Sequence, residues 1–241
     1  MTITSPQNPH LKELRRLQRR RERDQRRLFF AEGEDLVSAA HRAGWLALSG
    51  YRAAGTGIGD EHFLDVQADT LAGISTLGSG TRVIGVYEQR WIASPVGPLC
   101  VYLHGLSDPG NLGTVLRSAQ AFGASCVALG PDCADPYSPK AVRASMGAIF
   151  QISLARVADI AALPGERVAL VPGQGGELSS LVTRGELTLL VGAEREGLPR
   201  ALSEACEHVC HIPIASQSLN AAMAATIALY QVTQHFSGGP R

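Results

Sequence analysis

The last fifty residues constrain this chain more than any other stretch. Thr188 to Val191 is a short apolar run of strand type, followed by a loop from Gly192 to Gly197 that is bounded by glycine and carries Glu194 and Glu196. Pro199 then suits the first turn of a helix. A second unit follows at once: His208 to Ile214 reads as a strand, Ser216 to Ser218 as a polar turn, and Leu219 to His235 as a helix of strong formers. Two strand-loop-helix junctions so close together belong to an open α/β sheet, which binds ligands at the carboxyl ends of its strands. A small-molecule pocket is expected there.

The 241 residues allow one or two domains with a sizeable core. With 45% apolar, 18% charged and 5% aromatic residues and 26 glycines, the composition is that of a soluble, turn-rich α/β protein. No run of eighteen apolar residues occurs and the N-terminus is polar, then basic, so neither a membrane span nor a secretory signal is expected. The cysteines are five, an odd number, mostly in apolar strand contexts, which points to reduced thiols in the cytoplasm. Cys206, His208, Cys210 and His211 invite a metal reading. Their spacing is not that of a C-x-x-C knuckle and a strand splits them between two faces, so no metal site is expected.

A net charge of zero conceals a division. Residues 1–27 hold nine Lys or Arg against three acids, and the remainder thirteen against nineteen. Leu11, Leu14 and Leu17 recur at helical spacing among Arg15, Arg16, Arg19, Arg20 and Arg23. A helix this basic, with few acids for self-pairing, is read as an RNA-binding arm rather than a solvated face. From Leu28 short alternations predict a small α/β layer: a strand and turn at 28–33, a helix at 34–43, a strand at 45–49, a helix at 66–77 and a strand at 82–87. Pro95, Gly97 and Pro98 mark a linker, giving an N-terminal domain over 1–93, a linker at 94–98 and a second domain over 99–241.

In the second domain, strands are predicted at 99–103, 125–129, 150–154, 168–171, 187–191 and 209–214. Helices of ten or more residues in several gaps would make the sheet largely parallel. Asp108 to Asn111 is a turn, and Leu112, Val115, Leu116, Ala119 and Phe122 form the buried stripe of the next helix. Taken alone, Asn111 reads as a helix cap and Arg117 as a surface charge, although Arg117 can lean back toward the Asn111 loop. Lys140 and Arg143 share a face of another helix, where phosphate contact and plain solvation fit equally well.

Neither G-x-x-x-x-G-K-[ST] nor G-x-G-x-x-G is present, which counts against nucleoside triphosphates and dinucleotides. A glycine-exposed backbone can instead hold an adenine and ribose by main-chain hydrogen bonds. Three motifs, N-x-G-x-x-x-R-S-A at Asn111 to Ala119, G-x-E-x-x-G at Gly192 to Gly197, and Ile212-Pro213 followed by Ser218-Leu219-Asn220, resemble in order and spacing those of the SpoU family of S-adenosylmethionine-dependent RNA 2'-O-ribose methyltransferases. The resemblance covers residues 99–236. The stretches SPQNPHLKELRRL and LFFAEGEDLV resemble the family's substrate-binding N-terminal domain.

The resemblance implies a C-terminal trefoil knot, an S-adenosylmethionine cofactor and a homodimer that completes the active site. By motif, Gly192, Ile212 and Leu219 would contact the cofactor largely through the backbone, with Ile214 nearby, while Asn111, Arg117, Glu194 and Asn220 would line the reacting centre. In that picture Arg117 orients the hydroxyl and stabilises developing negative charge, since a guanidinium is a poor base. Glu194 positions Arg117 or the cofactor, Asn111 holds the ribose or a neighbouring catalytic group, and Asn220 closes the pocket. The chain departs from the family at Ala221 and Ala222, where Val-Ser is usual, and at Ala193 and Arg195, where small residues are common; Arg195 is an added cation. Ribosomal RNA is the preferred substrate, with tRNA, a catalytically silent RNA-binding protein and a small-molecule enzyme as rivals.

Overall fold

The computed structural model describes residues 2–77, 80–183, 185–216 and 219–236. Two motif positions, Gln217 and Ser218, therefore lie outside the described residues. The chain divides into two compact units, Met1–Gln89 with Asp135–Gln151, and Arg90–Ala134 with Ile152–Arg241.

The first unit opens with α1 (Pro9–Arg16), started by Pro9 in its first turn and by the Asn8 side chain, which accepts from the His10 N–H at 2.9 Å. After α2 (Arg20–Arg26) come β1 (Leu28–Glu32), α3 (Glu34–Arg42), β2 (Ser49–Ala53), β3 (Phe63–Val66), α4 (Ala68–Ala72) and β4 (Val83–Glu88). The sheet order is β1-β4-β2-β3; β4 runs antiparallel to both neighbours, and β2 and β3 are parallel. Leu11, Leu14 and Leu17 are buried against Phe30, Tyr51, Leu71, Ile74 and Ile84. Each buried leucine contributes roughly 1.5–3 kcal/mol, so the apolar stripe anchors the basic arm to the sheet.

The second unit begins with β5 (Leu99–Leu103), α5 (Pro109–Ala121) and β6 (Cys126–Leu129). The chain then lends α6 (Pro139–Ala144) to the first unit and returns with β7 (Ser153–Arg156), β8 (Glu166–Leu170), β9 (Gly176–Glu177), β10 (Leu187–Val191), α7 (Arg200–Glu204), β11 (His208–His211) and α8 (Ala221–Phe236). All pairings in the order β7-β6-β5-β10-β8-β11-β9 are parallel, as an α/β sheet buried on both faces requires. Leu112, Val115, Leu116 and Ala119 of α5 are fully buried. Helices α5 and α8 are fastened by Ser118 Oγ to Thr226 Oγ1 at 2.6 Å and by the Phe122 and Tyr230 rings, 6.1 Å apart and edge-on.

Several sequence expectations shift. The strand expected at 45–49 forms at Ser49–Ala53; Trp45 precedes it, packed edge-on against Phe29 and Phe150, and Gly50 within it lies against the Phe63 ring, which a β-carbon would meet at 2.4 Å. The strand expected at 150–154 begins only at Ser153; Ala148–Phe150 is a tight 3-10 turn. Gaps expected to hold long helices carry short turns at Ile160–Ala162 and Leu178–Ser180. The segment Asp135–Gln151, placed by sequence in the second domain, packs with the first unit. There Phe29 meets Tyr137 at 4.7 Å and Phe150 at 5.9 Å between ring centroids, and Trp45 Nε1 donates to the Phe150 carbonyl at 2.8 Å. No helix among the described residues is long and apolar enough to cross a membrane.

Candidate functional site

Three strands of the second unit, β8, β10 and β11, end at one cleft of ≈ 680 Å³. Its walls come from the loops that follow them: Val171, Pro172 and Gln174 after β8, Gly192 to Leu198 after β10, and Ile212, Ile214, Leu219 and Ala221 around β11 and α8. This volume lies within the range of small-molecule sites, and the position is the ligand-binding end of a parallel sheet. Gly192, Ile212, Ile214 and Leu219, the residues expected at a cofactor, all line it.

The loop after β10 is tightly closed. Ala193 and Gly197 exchange backbone hydrogen bonds at 3.2 and 3.0 Å. Gly197 has φ 67, which favours glycine, and a β-carbon on Gly192 would lie 2.1 Å from the Gly197 carbonyl carbon. Both glycines are thus required by the turn.

Side chains expected at the reacting centre form a chain beside this loop. Asn111 Nδ2 donates to Glu194 Oε1 at 2.6 Å, and Asn220 Nδ2 donates to Asn111 Oδ1 at 3.1 Å. Asn111 is carried in the first turn of α5, whose cap is Asp108: its carboxylate accepts from the Asn111 N–H at 2.8 Å. Asn220 Oδ1 accepts from the N–H groups of Ala222 and Met223 at 3.0 and 3.2 Å, which starts α8. The cap at α5 is therefore Asp108, which frees the Asn111 side chain to join the loops of three motifs.

Arg117 does not join them. It is exposed on α5 and makes no hydrogen bond or ion pair with any described residue. Glu194 accepts from Asn111, lines the cleft and makes no bond to Arg117.

The basic arm divides into free and engaged cations. Arg16 pairs with Glu13 at 2.8 Å, Arg26 pairs with Glu13 and Glu22, and Arg20 lies 3.6 Å from Asp24. All three acids of the arm are thus used, contrary to the expectation of little self-pairing. Arg15 donates to the Pro6 carbonyl at 2.5 Å, while Lys12, Arg19, Arg21 and Arg27 form no ion pair among the described residues. Arg23 is a correction. It is buried, its guanidinium bonded to Asp135 and to the carbonyls of Leu17 and Gln18, and so it is closed to RNA. Lys140 and Arg143 are exposed on α6, in the same unit as the arm.

The four residues that suggested a metal do not converge: His208 bonds Glu166 at 2.6 Å, Cys210 is buried, and His211 faces the Gln174 carbonyl at 3.3 Å. Among the described residues no group of three His, Cys, Asp or Glu could hold a metal ion. The loop Pro172 to Gly176, which supplies Gln174 to the cleft, escaped the sequence reading; its glycines after a predicted strand were the available signal.

A parallel sheet with a small-molecule cleft at its strand ends and a polar network at the rim defines an α/β protein of ligand-binding type. The chain belongs to the SpoU rRNA methylase family, whose profile matches residues 98–230; that of the MRM3-like substrate binding domain matches residues 8–84. It is 30% identical to an uncharacterized tRNA/rRNA methyltransferase of Synechocystis sp. over 95% of this chain and 92% of that protein. It is 27% identical to the 23S rRNA (guanosine(2553)-2'-O)-methyltransferase of Bacillus subtilis over 95% and 98%. Among solved structures, the AdoMet-bound rRNA methyltransferase of Sinorhizobium meliloti superposes with a TM-score of 0.87 at 32% identity, covering 98% of each chain.

Proposed function

We propose that this protein transfers a methyl group from S-adenosylmethionine to a ribose 2'-hydroxyl of ribosomal RNA, acting as a cytoplasmic homodimer. The observation that carries this reading is the Asn220–Asn111–Glu194 chain, which ties the three family motifs together beside a cleft of suitable size.

The residues present suit the cofactor. Ile212, Ile214 and Leu219 offer apolar cover for an adenine, Gly192 and Gly197 bring backbone close to the ligand, and the Glu194 and Glu196 carboxylates complement a cationic sulfonium. When bound, S-adenosylmethionine supplies an electrophilic methyl group, and no metal is needed to activate it. The protein's part is to orient and polarise. Asn111, fixed between Glu194 and Asn220, holds the ribose or the group that takes its proton. Arg117 orients the 2'-hydroxyl with its adjacent phosphate and stabilises the negative charge that develops on the attacking oxygen.

The homodimer accounts for Arg117, which in one copy reaches neither Asn111 nor Glu194. The outer face of α8 exposes Met223, Ile227 and Tyr230 at helical spacing, 61%, 41% and 54% accessible, on the helix packed against that of Arg117. Pairing through this face buries the apolar stripe and carries Arg117 into an interface. We read the second unit as knotted: β10 is inserted between β5 and β8, and the next strand, β11, pairs on the far side of β8 before α8 packs back on β10. The first unit chooses the RNA through Arg15, Arg16, Arg19 and Arg20, with Lys140 and Arg143.

Labelled methyl transfer from S-adenosylmethionine to rRNA and to tRNA, followed by alkaline hydrolysis, tests this reading. A 2'-O-methyl group blocks alkaline cleavage, so the label is expected in resistant dinucleotides from rRNA. Label in mononucleotides would refute the chemistry, and label confined to tRNA would replace the substrate. RNA binding without transfer would favour a silent binder, which Ala222 in the place of the usual serine supports.

A further inference from the structure

The turn that carries Glu194 presents a second group beside the reacting centre. With Ala193 and Gly197 locked to each other, Glu194, Arg195 and Glu196 form the tip of a three-residue hairpin whose position is set by the close Gly192–Gly197 approach. Glu194 is held by Asn111. Arg195 borders the cleft, is exposed, and makes no hydrogen bond or ion pair with any described residue. Its sequence neighbour Glu196 is exposed as well and is not bonded to it.

A guanidinium carries five N–H donors in a planar fork that matches a phosphate or carboxylate. Left unpaired one residue from the Asn111–Glu194 bond, it awaits an anion that arrives with a ligand. The cleft is lined mostly by apolar residues, with Gln174, His211, Glu194 and Glu196 as its other polar side chains, and the two acids suit a cationic group. Arg195 and Glu196 at the tip are exposed, so a polymer can reach them.

We infer that Arg195 is a positioning residue that grips a phosphodiester of the RNA next to the target ribose and so seats the 2'-hydroxyl against the cleft. The inference rests on the methyltransferase reading above. Loss of one phosphate contact lowers the slope of log affinity against log salt by about 0.7–0.9.

The test uses the full-length protein and its Arg195→Ala and Arg195→Lys variants, with rRNA and S-adenosylmethionine as probes. Arg195→Ala is expected to weaken RNA binding several-fold near physiological ionic strength, to reduce the salt slope by about one contact, and to raise KM for RNA more than it lowers kcat. Calorimetric affinity for S-adenosylmethionine should stay unchanged, and Arg195→Lys should recover most of the salt slope. An unaltered slope and RNA affinity in Arg195→Ala would overturn the inference. Weakened S-adenosylmethionine binding with an unaltered RNA slope would also overturn it, assigning the arginine to the cofactor's carboxylate. Because RNA binding is measured without turnover, a wild-type protein that fails to transfer methyl would refute the proposed function while the slope still decides the role of Arg195.

Discussion

Arg23 and Asp135 stand 112 positions apart and form a buried ion pair, with Nε and Nη2 bonding one carboxylate oxygen at 2.8 and 2.6 Å. Their side chains are 4% and 5% exposed, and the other carboxylate oxygen accepts from the Tyr137 N–H at 2.9 Å. Removing either partner leaves a buried charge uncompensated. Asp135→Ala or Arg23→Met is expected to cost about 3–5 kcal/mol in urea unfolding, and an apolar double replacement markedly less. Equal losses for single and double variants would refute this account.

The Asn111 bridge predicts an ordering of variants. Glu194→Gln keeps an acceptor for Asn111 Nδ2 and should be milder than Glu194→Ala. Asn111→Ala breaks both bonds of the chain and should lower single-turnover methyl transfer by roughly 10²-fold, as loss of an oriented polar group at a reacting centre does. Arg117→Ala is expected to do the same. Near-normal turnover in that variant would remove Arg117 from the mechanism.

Ile227→Glu places a charge in the centre of the exposed stripe of α8, at a residue that lies outside the buried core. Sedimentation should show the wild type as a dimer and the variant as a folded monomer without methyl transfer. A wild-type monomer with full activity would contradict the dimer.

Glu207 gives a pH signature. Its carboxyl is held down to about 2 from the usual 4.5, first by the Arg167 side chain and then by the Arg167 backbone N–H. The unfolded chain protonates Glu207 near 4.5, so the pair's stabilisation is complete above that value and is lost as pH falls toward 2. The pair is partly exposed, which limits the gain to about 1 kcal/mol. Glu207→Gln should therefore be less stable than wild type at neutral pH, and the two unfolding midpoints should converge in acid.

Local pattern was enough for much of the second unit. The apolar runs at β5, β6 and β10 have no alternative to a buried parallel strand, and Leu112, Val115, Leu116 and Ala119 define a helix face by themselves. The glycines at 192 and 197 also announced a tight loop. What stayed hidden depended on partners distant in sequence. Arg23 looks like any other cation of the arm, and only Asp135 makes its burial possible. Phe150 reads as the start of a strand, yet its ring lies 5.3 Å from Trp45 and 5.2 Å from Tyr87. Asn111 looked like a cap because the carboxylate that accepts its amide lies 83 positions away.

The loan of Asp135–Gln151 to the first unit has a consequence for how the protein is made. During synthesis, Phe29, Trp45 and Tyr87 emerge long before Tyr137 and Phe150, so the N-terminal part leaves the ribosome with an open aromatic face and an unanswered Arg23. It closes only after β5, α5 and β6 have followed. A fragment ended at the apparent boundary near residue 93 would keep that face permanently exposed and would be sticky rather than native. Adding residues 135–151 as a separate peptide should restore it, in the manner of a split protein completed by its missing piece.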